Sequence, residues 1–381
     1  MKRTSFLTLI FIVAIGCGST TNFAQPAKSN SPPQRTKKQM AADDALLEAS
    51  EKGDAAGVKA ALKDGANVNA YSSNGTTPLI NVSRAGKYDL VKILLDAGAN
   101  PVMQDDSGTT AADVVGMFAV GNAVGSGESA LYAQVLASGS IREELNSQAK
   151  PAKVLSENLI EAILAKDTVK AAALIKQGAY IDFIDKRLEG KATPLIAAAF
   201  NGESDIVDLL ISSGARIDRA DKIDRTALIY AADAGFAVIA EHLIKAGANI
   251  DKFDSQEYTP LTAAITGGFI ECVQMLINNK VNVNGYLTGS KATPLTTAIG
   301  TRHPAIVPML LKAKADPNKT DVKGATPLML SVFLNDIVSA KLLLQAGADP
   351  NLKNNQGHTA LDFAKANSPE IAKILEPITK K

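Results

Sequence analysis

Threonine followed by proline or alanine recurs at Thr77, Thr110, Thr193, Thr226, Thr259, Thr293, Thr326 and Thr359. The successive steps are 33, 83, 33, 33, 34, 33 and 33 residues. Such a period constrains the fold more than any other feature, because each period must be one supersecondary unit stacked on the next. A second signal keeps nearly the same step, 33, 80, 36, 33, 33, 34 and 33 residues: Gly65, Gly98, Gly178, Gly214, Gly247, then Lys280 and Lys314 in the equivalent place, then Gly347.

Each recurring residue has a physical task. A threonine hydroxyl accepts from free N–H groups at a helix start, and proline at the first helical position loses no hydrogen bond. A second segment such as "SDIVDLLISSG" carries Ile206, Val207, Leu209 and Leu210 at helical spacing and stops at Gly214. Glycine there can adopt the left-handed conformation that ends a helix. Helices of two or three turns do not survive alone in water, so each pair needs its neighbours. The composition agrees: 46% hydrophobic but only 5% aromatic, with no Trp, suits thin helical layers. The recurring residues are therefore architectural.

The pattern running from the Thr-Pro-Leu start to the Gly-Ala stop closely resembles the ankyrin repeat. Good copies are "NGTTPLINVSRAGKYDLVKILLDAGAN" and "QEYTPLTAAITGGFIECVQMLINN". The resemblance implies an all-α solenoid of about ten helix pairs, with β-hairpin-like turns projecting to one side. One departure is uniform: the histidine that usually follows Thr-Pro-Leu is replaced by Ile80, Ile196, Thr262, Thr296 and Met329.

The step of 83 leaves 17 residues beyond two repeats of 33, and these fall within 111–158. A glycine-rich loop, a short helix and a linker at 148–153 are expected there. The resulting division is an N-terminal block at 41–147 with a divergent third repeat, and a C-terminal block of about seven repeats at 154–378.

The beginning of the chain is different. Lys2 and Arg3 precede an apolar run from Phe6 to Ile15, which is too short to span a bilayer and is laid out like an export signal. "AIGC" resembles the lipobox of bacterial lipoproteins. By that resemblance residues 1–16 are a signal peptide, Cys17 carries a lipid, and 17–40 form a disordered tether. The expected location is a bacterial cell envelope, lipid-anchored and facing periplasm or surface; the alternative is a secreted soluble protein. Cys272, at an apolar helix position, reads as a buried small hydrophobe.

Catalytic signals are absent from the sequence. Gly116 and Gly121 have phosphate-loop spacing, but Asn122 stands where lysine is needed. His242, His303 and His358 belong to three different repeats without neighbouring ligands. No enzyme activity, cofactor or metal is expected, the one enzymatic alternative being a site in the 111–158 insertion, and a net charge of +1 excludes the basic stripe of a nucleic-acid binder. What remains is binding of a protein partner by a monomer, through the concave face and turn tips that the resemblance implies. Candidate contact residues at the tips are Tyr71, Arg187, Lys222, Phe253, Tyr258, Tyr286, Lys323 and Lys353. Aromatic and arginine side chains carry most interface energy.

Overall fold

A computed structural model describes residues 36–115, 128–185, 190, 192–286 and 289–379. Cys17 and Arg187 lie outside these residues. The helices are α1 (Lys37–Lys52), α2 (Ala55–Lys63), α3 (Pro78–Arg84), α4 (Tyr88–Asp96), α5 (Ala111–Val114), α6 (Glu128–Leu164) and α7 (Thr168–Lys176). They continue as α8 (Pro194–Asn201), α9 (Ser204–Ser212), α10 (Ala227–Asp233), α11 (Ala237–Lys245), α12 (Pro260–Gly267) and α13 (Ile270–Asn278). The last are α14 (Pro294–Gly300), α15 (Ile306–Lys312), α16 (Pro327–Phe333), α17 (Ile337–Gln345), α18 (Ala360–Asn367) and α19 (Pro369–Leu375). Among the described residues these make nine helix pairs plus the short α5.

The eight periodic threonines do the same thing everywhere. Each precedes a first helix, and its Oγ1 accepts the N–H three residues on, at 3.2–3.4 Å. Where threonine replaces the family histidine, its hydroxyl completes a capping box: Thr262 accepts from Thr259 N at 2.9 Å, and Thr296 from Thr293 N at 2.7 Å. Lys280 and Lys314 end their helices at φ 63° and 70°. They thus hold the left-handed conformation without glycine's freedom.

The chain forms two compact units. The first comprises 1–201 with 205–222, and the second 202–204 with 223–381. In the first, Leu46, Val58, Leu79, Val91 and Leu94 form a core that Leu145 of α6 joins. Further along α6, Ile160 packs with Val102 and Phe183. Residues 148–153, expected as a linker, are therefore helical. Buried residues lie on either side of this segment, and their packing outweighs the hydrogen bond lost at Pro151.

The expected β-hairpins are corrected by the turns themselves. Among the described residues there is no strand, only an isolated bridge between Gln104 and Thr110. Each tip closes on two backbone bonds within one short turn, such as Asp254 N to Tyr258 O at 3.0 Å with Glu257 N to Asp254 O at 2.8 Å, or Asp321 N to Ala325 O with Gly324 N to Asp321 O, both 3.0 Å. Successive tips share one more, such as Ser255 N to Ile223 O at 2.9 Å and Asn355 N to Lys323 O at 3.0 Å. A turn closed on itself and a single bond to the next tip do not make a ladder.

Candidate functional site

The tips are shaped by one acidic or amide side chain each. Asp254 Oδ1 accepts the N–H groups of Gln256 and Tyr258, both at 2.8 Å. Asp321 Oδ1 accepts those of Lys323 and Ala325, also at 2.8 Å. Asn354 Oδ1 does the same for Gln356 and His358 at 3.0 Å. These groups are committed to holding the turn. What projects is then left to the residues around them.

In the first unit the tips fold onto one another. Arg219, 3% exposed, donates from Nη1 to Asp182 O at 2.6 Å and from Nη2 to Gln104 O at 3.0 Å. Gln104 exchanges both its amide atoms with the backbone of Ile184, at 3.2 and 2.6 Å. Burial pushes the neighbouring Tyr180 hydroxyl up to about 12 and raises the Asp182 carboxyl. Tyr71 is half-buried beneath the Arg216 guanidinium, 4.5 Å from its ring centre, while Arg216 pairs with Asp106 at 3.0 Å. Lys222 is exposed, and its N–H donates to Gly190 O.

In the second unit the tips are more open. Phe253 is 57% exposed and Tyr286 44%, the latter with the Lys319 ammonium 3.8 Å from its ring centre. Tyr258 is half-buried, with Arg225 5.9 Å from its ring. Arg225 itself bonds from Nε to the buried Asp254 at 2.7 Å. Burial works against its charge, but that bond and the nearby Asp233 outweigh it and raise its pKa. Lys323 and Lys353 are exposed on successive tips.

One surface feature here escaped the sequence reading. A groove of about 720 Å³ runs between the first helices α14, α16 and α18 and the tips beside them. Its apolar lining includes Val322, Met329, Leu330, Phe333 and Phe363, and Lys323 stands on its rim. Phe333 is 67% exposed and Val322 47%. The signal was available: seven residues after each periodic threonine of this unit stand Asp233, Thr266, Gly300, Phe333 and Ala366. One aromatic interrupts a polar or small series. Among the described residues no cluster of three or more metal-ligating side chains occurs.

Family models for ankyrin repeats match residues 61–115, 159–254, 239–321 and 313–378, more than half of the chain. The chain belongs to the ankyrin-repeat family. Two solved ankyrin domains share the fold. That of Bcl-3, described as a unique member of the IkappaB family, is 22% identical with TM-score 0.54, over 57% of this chain and 97% of that one. That of human ASB11 is 26% identical with TM-score 0.50, over 57% and 96%. Among curated proteins, the 2-5A-dependent ribonuclease of Mus musculus is 38% identical over 76 residues, 20% of this chain and 10% of its own length. XBAT34 of Arabidopsis thaliana, whose name marks it as a candidate E3 ubiquitin-protein ligase, is 48% identical over 58 residues, 15% of each. The chain thus spans a small fraction of these relatives.

The ankyrin array is a scaffold for protein–protein interaction. The expectation of an exported bacterial lipoprotein is overturned: the curated relatives come from mouse and plant. With it go the lipid anchor at Cys17, the envelope location and the secreted alternative. No helix among the described residues is long and apolar enough to cross a membrane.

Proposed function

We propose that this ankyrin scaffold takes a protein partner in the groove of its second unit, between the first helices and the tips at Val322 and Asn354. Phe333 carries the reading. A phenylalanine two-thirds exposed, on a face lined by Val322 and Leu330, leaves apolar area in water that a partner would cover at about 25 cal/mol per Å². Exposed apolar grooves rimmed by polar residues mark interaction sites. Lys323 and Lys353 on adjacent tips, with Tyr286 and Phe253 on the preceding ones, extend the same contact surface. Tyr71 and Lys222 belong to the other unit and do not line this groove.

The test is a photo-cross-linking amino acid placed in the full chain at position 333, and separately at Val338, an exposed apolar residue on the second helix α17. A partner trapped through position 333 and absent from position 338 is the expected result. No adduct at 333, or the same adducts from both positions, would remove the groove as the binding surface.

A further inference from the structure

We infer that the groove takes an extended, acidic segment of the partner carrying one large apolar residue, an inference resting on the groove reading above. The floor sets the apolar part. Phe333 stands between Gly300 and Ala366 in the series along the first helices. A Cβ built on Gly300 would meet nothing within 4 Å. The Phe333 ring itself stands two-thirds exposed, so an aromatic or branched aliphatic side chain laid on it meets a ring edge or face.

The rim sets the charge. Lys323 and Lys353 have no ion pair among the described residues, although both are exposed. The one carboxylate lining the groove, Asp321, is turned into its own loop by the N–H groups of Lys323 and Ala325. At the next tip the same task falls to Asn354, which is neutral. Moving along the rim, the acid is lost while the lysine stays. Lys323 offsets the Asp321 charge, and Lys353 on the next tip leaves one positive charge in excess.

Spacing follows from the repeat. Neighbouring helix pairs lie about 10 Å apart, and an extended chain advances about 3.3 Å per residue. Two acidic residues separated by about three positions would meet Lys323 and Lys353 in turn, with the apolar residue reaching Phe333.

A random twelve-residue peptide-display library selected on the full chain, and counter-selected on Phe333→Ser, tests this. Peptides that depend on Phe333 are expected to carry one Phe, Trp, Leu or Ile and two acidic residues about three apart. Lys323→Ala and Lys353→Ala should each weaken a selected peptide about three- to tenfold, less at high salt. Phe333-dependent peptides that are neutral or basic, or a double lysine variant that binds as wild type, overturn the acidic partner while leaving the groove standing. Failure to recover any Phe333-dependent peptide overturns it as well, and with no cross-link through position 333 the groove reading falls too.

Discussion

Asn318 couples two repeats through its side chain alone. Its Oδ1 accepts the N–H of Asp349 at 2.8 Å, and its Nδ2 donates to Gly347 O at 3.2 Å, both in the following turn. Asn284 makes the same pair of bonds one repeat earlier, to Asp316 N at 2.8 Å and Lys314 O at 3.0 Å. Asp251, lacking an amide, makes only the acceptor bond, to Asn282 N at 2.9 Å. An intramolecular hydrogen bond contributes about 0.5–1.5 kcal/mol net. Asn318 is half-exposed, so water replaces part of what is lost. Asn318→Ala should therefore cost about 1–2 kcal/mol, and Asn318→Asp, which keeps the acceptor, about half as much. Stability in a stacked array is a sum of repeat and nearest-neighbour terms. The loss should then appear first in the pair α18 and α19, which among the described residues has a neighbouring pair on one side only. Native-state hydrogen exchange measures it: amides of α18 and α19 should exchange about 5- to 30-fold faster in the Ala variant, with α12 and α13 unchanged. Uniform acceleration across the unit, or none, would refute nearest-neighbour coupling through this side chain.

Arg219→Met should destabilise the first unit by about 3–5 kcal/mol in urea titration, because it strips donors from buried carbonyls of Gln104, Asp105 and Asp182. Lys280→Gly should stabilise the second unit by about 0.5–1 kcal/mol, since Lys280 holds φ 63° at an exposed helix end. Burial pushes the Cys272 thiol up to about 12. In a Cys17→Ser background the folded chain should resist iodoacetamide at pH 8 and react once unfolded. The raised pKa also sets a sign: this thiol's contribution is intact below the unfolded value and is lost as pH rises from about 9 toward 12. Cys272→Ala should flatten that part of a pH–stability curve.

The sequence determined what is local and repeated. A Thr cap, a proline at the first helical position and a left-handed stop are decided within a few residues, so reading their period located every first helix from α3 through α18 except α6. Burial at Cys272 followed from helical spacing in the same way. Contacts between distant residues were decided only in the tertiary structure. Residues 148–153 look like a linker because Pro151 and polar neighbours carry no helical signal. They are helical because Leu145 and Ile160, at either end, are buried against different parts of the unit. The tips resembled hairpins, yet strand pairing needs bonds repeated between segments, and here each tip makes one bond to the next. Arg219 reads as a surface residue in "IDRADK" and is buried, since its partners lie up to 115 residues away. Phe333 is visible in the sequence as a phenylalanine on an otherwise regular helix. That it stands in water, on the lining of a groove, depends on how the neighbouring first helices pack.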